Sequence, residues 1–124
     1  MPEVQVLDDD LNGLGWAIKS LVDRNLEHPE IQRRLKKISG SLVVTEKDAD
    51  VTVTLLFRQG DPAIRNGAVE KPSAVLAGGF EELSEVISGQ VGPVRALLTG
   101  RIKARGNLIK LLAMARVLIS RDKG

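Results

Sequence analysis

The chain has 124 residues, of which 43% are apolar and 2% aromatic, and its formal net charge at pH 7 is +2. This length is typical of one domain, so we expect residues 1–124 to form a single domain with an aliphatic core. The scarcity of aromatic side chains argues against binding of single-stranded nucleic acid, which needs stacking platforms. Cysteine is absent, which excludes disulfides, thiolate nucleophiles and cysteine metal sites.

The amino-terminal residues carry neither the basic nor the apolar segment of a signal peptide. The longest apolar stretch, residues 108–119, is interrupted by Lys110 and Arg116 and is too short to span a bilayer. We therefore expect a cytoplasmic location. The mild positive charge is compatible with transient contact with an anionic membrane surface but does not require it.

Apolar residues recur at helical spacing from Leu7 to Val22, which predicts a first helix over 8–26 with the acidic residues 8–10 at its start. Pro29 begins a shorter second helix, because proline is favoured at the first helical position. The basic residues at 33–37 are typical of the solvated face of a helix. A membrane or nucleic-acid patch is the alternative.

From residue 38 the apolar period changes to two, most clearly at Val53, Leu55 and Phe57. Strands are predicted at 38–45, 51–58, 63–70, 73–77 and 101–105, and further helices at 80–88, 93–98 and from Asn107 to 120. This order predicts an α+β fold with one sheet, mostly antiparallel, and helices covering one of its faces.

Catalytic motifs are missing. His28 is the one histidine, and it is more typical of a surface or capping residue than of a metal ligand or a catalytic base. Neither a G-x-S-x-G turn nor a glycine-rich phosphate loop is present. The acidic clusters at 8–10, 46–50 and 81–85 suit helix starts and a strand turn, and nothing selects a carboxylate pair for acid–base chemistry. We therefore expect no enzyme activity, no metal and no cofactor.

The sequence from Pro72 onward has a distinctive order, PSAVLAGGFEELSEVISGQVGPVRALLTGRIKARGNLIKLLAMARVL. A short helix ends at Thr99-Gly100, a strand alternates basic and apolar residues at 101–105, and Gly106-Asn107 precedes an apolar helix. Over residues 73–119 this arrangement resembles the sterol carrier protein 2 (SCP2) sterol-binding domain family. Asn107 is a departure, since family members often carry aspartate there.

The resemblance implies a five-stranded, mostly antiparallel sheet with helices over one face and an apolar tunnel between the sheet and the C-terminal helix. It also implies that the protein binds or transfers an apolar lipid, such as a fatty acid, acyl-CoA or sterol, without catalysis. The alternative is an accessory interaction module of a lipid or quinone biosynthesis pathway, with a protein partner or a second copy of the chain.

The final helix has an apolar stripe that is expected to cover the tunnel, with the small Ala115 leaving room beneath the helix. The residues expected to line the tunnel are Val53, Leu55, Phe57, Val86, Leu97, Ile102, Ala104, Leu108, Leu111, Leu112, Ala115 and Ile119. The first turns of this helix hold no acid, so Arg105 and Lys110 are expected to attract an anionic head group. The alternative is that both side chains simply face water.

Overall fold

The computed structural model describes residues 3–118. The strands in this range are β1 (Gln5–Val6), β2 (Ser39–Glu46), β3 (Val51–Arg58), β4 (Ala63–Asn66), β5 (Ala74–Gly78) and β6 (Lys103–Gly106). The helices are α1 (Gly13–Asn25), α2 (Pro29–Leu35), α3 (Phe80–Ile87), α4 (Pro93–Leu98) and α5 (Leu108–Leu118). The α+β class predicted from the sequence is confirmed.

Within the described residues the sheet has six strands in the order β1-β4-β3-β2-β5-β6. Three neighbouring pairs are antiparallel, whereas β1 with β4 and β2 with β5 are parallel. The mostly antiparallel sheet is confirmed, but the expected count of five strands is wrong by one. The additional strand, β1, has two residues that pair with Ala63 and Ile64. A strand this short shows no alternation of its own, so only its pairing reveals it.

The predicted start of the first helix at residue 8 is wrong. Helix α1 begins at Gly13, and Asn12 is its N-cap, with the side-chain oxygen accepting a hydrogen bond from the Gly15 backbone N–H at 2.8 Å. The Asp8 carboxylate instead accepts a hydrogen bond from the backbone N–H of Asn66, at the end of β4, at 2.6 Å. The acidic segment is therefore tied to the sheet edge and not to the helix.

Helices α1, α3 and α5 pack on one face of the sheet. Helix α1 lies on β3 and β4, helices α3 and α5 lie on β5, and α1 contacts α5. Strand alternation buries Val44 and Val53 beneath the helices, while Thr45 and Thr52 lie on the opposite face and share a hydroxyl hydrogen bond of 3.0 Å. The core between the two layers is aliphatic apart from Phe57, as the composition predicts.

Candidate functional site

An apolar slot lies between the sheet and the helices α1, α3 and α5. We use this name for the space lined by Ile18, Val44, Leu76, Leu83, Val86, Ile87, Ala115 and Leu118. None of these side chains is polar, and the space has a volume of about 20 Å³. A volume of this size holds roughly one water molecule, so the walls of the slot are nearly in contact.

The floor of the slot is formed by two neighbouring strands. Val44 of β2 and Leu76 of β5 are register partners in a parallel pair, so both side chains leave the sheet on the helix-covered face. Ile18 reaches the same space from α1, where it is almost fully buried. The slot therefore sits where α1, β2 and β5 meet, near the carboxyl ends of the two strands.

One wall is the inner face of α3. Leu83, Val86 and Ile87 follow each other at i, i+3 and i+4, a spacing that places them on one side of a helix. Helix α3 follows directly after β5, and Leu83 comes within van der Waals contact distance of where a Cβ on Gly78 would stand, 3.4 Å from Cγ. The Asp48 carboxylate accepts a hydrogen bond from the first backbone N–H of the helix, that of Phe80, at 2.9 Å.

The outer side of α3 is held by a partly exposed ion pair. Nη1 of Arg101, in the segment before β6, lies 2.6 Å from Oε1 of Glu85. Partly exposed pairs of this kind contribute little to stability. The wall formed by α3 is therefore fastened mainly by its own apolar contacts and by the cap that Asp48 provides.

The second wall is α5, which is tied to other segments near both ends of its described length. At its start, the backbone N–H of Asn107 donates a hydrogen bond to the carbonyl of Ser73 at 2.8 Å. The Asn107 side-chain oxygen accepts a hydrogen bond from the Lys110 backbone N–H at 3.0 Å, which confirms the predicted cap. Near the other end, Nδ2 of the buried Asn25 donates a hydrogen bond to the carbonyl of Val117 at 2.8 Å. A buried amide that loses this partner would leave an unpaired polar group, so the contact fixes α5 against α1.

The buried face of α5 differs from the predicted stripe. Its buried side chains are Leu111, Met114, Ala115, Val117 and Leu118. Leu108 and Leu112 are instead exposed. Leu118 and Ala115 line the slot, while Met114, which the sequence analysis did not select, is completely buried in the core. The helix is thus rotated relative to the expected stripe.

The structure places the predicted tunnel residues in four environments. Val86 and Ala115 line the apolar slot. Buried in the core, but not in the lining of the slot, are Val53, Leu55, Phe57, Ile102 and Leu111. Leu97 and Ala104 are half-buried, Leu108 and Leu112 are exposed, and Ile119 lies outside the described residues.

The slot residues that the sequence analysis did not select are Ile18, Val44, Leu76, Leu83, Ile87 and Leu118. Each belongs to a helix or strand whose presence the sequence predicts. Of the six, only Ile18 was part of the apolar pattern noted in the sequence. Which strands lie beneath which helices is a tertiary property, and periodicity carries no information about it.

The two predicted head-group residues are exposed and lie outside the slot. Arg105 pairs with Val75 across β5 and β6, so it shares the uncovered face of the sheet, one position out of phase with Leu76. Nζ of Lys110 donates a hydrogen bond to the carbonyl of Ser39 at 3.0 Å, at the start of β2. Val44 is five residues further along the same strand, which corresponds to roughly 16 Å.

Catalytic and metal-binding groups are not gathered at the slot. Across residues 3–118, no three side chains of histidine, cysteine, aspartate or glutamate are placed to hold a metal ion. No helix in that part of the chain is both long and apolar enough to cross a membrane. What the arrangement offers chemically is a surface of aliphatic side chains and nothing that could transfer a proton or a group.

Solved structures share this architecture. An apo sterol carrier protein 2 from Yarrowia lipolytica aligns with a TM-score of 0.64 and 18% identity, over 87% of this chain and 94% of that one. A UbiJ-SCP2 ubiquinone synthesis protein aligns with a TM-score of 0.67 and 14% identity, over 85% and 88%. Identities this low establish a common fold and no more. A mostly antiparallel sheet with helices on one face is thus the sterol carrier protein architecture.

The same fold also occurs inside a larger enzyme. The inverting sec-alkylsulfatase Pisa1 from a Pseudomonas species aligns with a TM-score of 0.65 and 18% identity over 73% of this chain. The chain spans only 14% of the length of that sulfatase. A comparison with curated protein sequences gave no match.

The family assignment comes from the sequence itself. The model of the SCP-2 sterol transfer family matches residues 18–118, which is most of the chain. The chain belongs to this family, and the resemblance noted over residues 73–119 is confirmed. Membership of the family implies binding or transfer of an apolar lipid.

Proposed function

We propose that the protein is a non-catalytic carrier that binds one apolar lipid, such as a fatty acid, acyl-CoA or sterol, in the apolar slot. The observation that supports this most directly is the lining of the slot, which consists only of aliphatic side chains from the sheet and three helices. Small-molecule sites of this kind commonly form between packed layers. The family to which the chain belongs supports the class of ligand.

Entry of a lipid requires the slot to open. Its volume of about 20 Å³ excludes an acyl chain, so α3 and α5 must separate for the ligand to enter. The bound chain would then replace contacts between the two helices with contacts of its own. Helix α5 is tied to α1 through Asn25, and its start is tied to the segment before β5, where the Asn107 backbone N–H donates to the carbonyl of Ser73. We therefore assign the movement to α3, which apolar contacts, one cap and a partly exposed ion pair hold in place.

The energy of such binding is sufficient. Burial of a methylene group contributes about 0.8 kcal/mol, so a long acyl chain offers on the order of 10 kcal/mol. Association and the opening of the walls oppose this by at least about 4 kcal/mol. The difference of about 6 kcal/mol corresponds to a Kd of some tens of micromolar, which suits a carrier that must also release its ligand.

The test narrows the slot from the α5 side. Ala115→Leu adds three carbon atoms to a buried residue of the lining, where the free space holds about one water molecule. Overpacking should destabilise the fold by about 1–3 kcal/mol. Binding of cis-parinaric acid, followed by fluorescence, should weaken at least tenfold. Native mass spectrometry of the purified wild type should show a bound lipid that solvent extraction identifies.

The matched control is Ala113→Leu, because Ala113 lies on the same helix but is exposed. This variant should bind cis-parinaric acid like the wild type. Equal affinity of all three proteins would show that the ligand does not use this slot. If both variants fold, none of the three proteins binds the probe and the purified wild type carries no lipid in native mass spectrometry, the carrier function itself is wrong.

A second candidate is an accessory interaction module of lipid or quinone biosynthesis. Exposed apolar side chains on α4 and α5, among them Leu98 and Ile109, favour it. The UbiJ-SCP2 protein, whose name connects it with ubiquinone synthesis, shares the fold. A stable complex with another protein, formed equally well by wild type and Ala115→Leu, would favour this role over carriage of a lipid.

A further inference from the structure

Exposed apolar side chains are concentrated on two neighbouring helices. Of the eight large apolar residues that are exposed among the described residues, five belong to α4 and α5, which contact each other. They are Val94, Leu98, Leu108, Ile109 and Leu112. Leu98 and Ile109 expose 82% and 84% of their surface. Exposed apolar side chains gathered on two helices in contact are a candidate site of interaction.

Helical spacing arranges these residues into two stripes. Val94 and Leu98 are one turn apart and form the stripe on α4. The stripe on α5 consists of Leu108, Ile109 and Leu112, since Leu108 and Ile109 lie four and three positions before Leu112. Each stripe carries a basic residue at its margin, since Arg95 is three positions before Leu98 and Arg116 is four positions after Leu112. We name these two stripes with Arg95 and Arg116 the docking face.

The charge of the protein is divided between two parts of the sequence. Residues 86–118 contain six basic side chains and no acidic one. All six basic side chains are exposed, although Arg101 pairs with Glu85. Residues 3–85 contain ten basic and fifteen acidic side chains, a formal charge of −5. The modest net charge of the chain therefore conceals a strongly positive region that includes the docking face.

We propose that the docking face binds the surface of a bilayer that contains anionic lipids. Aliphatic side chains beside lysine and arginine are the composition of helices that lie in the membrane interface. Each basic residue near an anionic surface adds to the attraction. The proposal says which surface of the protein contacts the membrane, which the net charge alone could not indicate. Only its role in lipid delivery rests on the proposed carrier function.

The same observations disfavour a second copy of the chain on this face. A two-fold contact would bring the positive region of one copy against that of the other, with no acidic residue from 86–118 to compensate. An anionic lipid surface complements the positive charge of the docking face and also accommodates its aliphatic side chains.

The experiment is vesicle flotation with the full-length chain. The wild type should bind phosphatidylcholine vesicles that contain phosphatidylglycerol, and should bind pure phosphatidylcholine vesicles at least tenfold more weakly. About 0.5 M NaCl should reduce the binding, because it screens exposed charges. Two double variants, Leu98→Ser/Ile109→Ser and Arg95→Glu/Arg116→Glu, should each lose at least about tenfold in affinity.

The controls use the same chemistry elsewhere. Trp16→Ser/Phe80→Ser removes two exposed aromatic residues outside the docking face, and Arg33→Glu/Lys37→Glu makes an equal charge change on α2 and in the turn that follows it. Both should bind vesicles like the wild type. The proposal is overturned if they lose as much affinity as the docking-face variants, or if the wild type does not bind anionic vesicles.

A second measurement separates this proposal from the carrier function. The Leu98→Ser/Ile109→Ser variant should bind cis-parinaric acid with wild-type affinity, because neither residue lines the slot. If the wild type binds vesicles but binds no cis-parinaric acid and carries no lipid in native mass spectrometry, carriage is refuted and the docking-face proposal remains. Self-association that this variant abolishes, together with no vesicle binding by the wild type, would assign the face to a second copy and overturn the membrane proposal.

Discussion

Shortening Leu83 tests whether the apolar slot receives the ligand. Leu83 is 3% exposed and forms part of the α3 wall. Leu83→Ala removes three carbon atoms and joins their space to the existing cavity of about 20 Å³. Leucine-to-alanine changes in cores cost about 2–5 kcal/mol, so the melting temperature should fall by on the order of 10 °C.

A ligand that occupies the slot should restore part of this loss. The enlarged slot admits an acyl chain with less displacement of α3, so the variant should bind lauric acid more tightly than the wild type does. A ligand at 100 times its Kd stabilises a protein by about 2.7 kcal/mol. Thermal unfolding with and without lauric acid should therefore show a larger rise for Leu83→Ala than for the wild type.

Leu55→Ala is the matched comparison. Leu55 is 0% exposed and lies in the core, but it is not part of the slot lining. This variant should lose similar stability and gain no more from lauric acid than the wild type gains. An equal gain for both variants would show that the ligand space extends beneath β3, as the sequence analysis expected. A gain for neither would refute the assignment of the slot.

Two further predictions concern the contacts that hold the helices. Asn107→Ala removes the side-chain cap of α5 and should lower the free energy of unfolding, measured in urea, by about 1 kcal/mol. Asn107→Asp should keep the cap, so an equal loss of stability in both variants would contradict this role. The pKa of Lys19 is raised above its ordinary value of 10.5, chiefly because its ammonium donates a hydrogen bond to Asp23, while desolvation opposes the rise. The resulting stabilisation is fully present below pH 10.5 and is lost as the pH rises through the higher pKa of the folded state. The free energy of unfolding, measured in urea, should therefore decrease less at alkaline pH in Lys19→Met than in the wild type. An equal decrease in both proteins would contradict this role of Lys19.

The elements with strong periodicity were predictable from the sequence. The strand at 51–58 and the helix at 93–98 have the predicted bounds, and α3 ends one residue earlier than predicted. Each has an unbroken apolar pattern of the correct period and a turn or cap residue at its ends. The resemblance to the family rested on the same region, because residues 73–119 contain a succession of short elements whose order is itself distinctive.

The errors occur where a contact distant in sequence decides the local structure. The acidic residues 8–10 have the composition of a helix start, but Asp8 accepts a hydrogen bond from the backbone of Asn66, fifty-eight positions away. Strand β1 exists only because β4 lies beside it. The position of the slot depends in the same way on the pairing of β2 with β5, a parallel pair that no local pattern indicates.

Helix α5 is apolar on two sides, which explains why its buried stripe was wrongly predicted. A helix that is amphipathic has one apolar stripe, and its buried face can be identified from sequence. Helix α5 instead carries large apolar side chains on both sides, with Leu111, Met114 and Leu118 buried and Leu108 and Ile109 exposed. Periodicity could not choose between the two sides. A helix that is apolar on its exposed side as well needs a second apolar environment, and an anionic bilayer surface provides one that its basic neighbours also favour. The exposed apolar side of α5, which made its buried face unpredictable from the sequence, therefore forms part of the docking face.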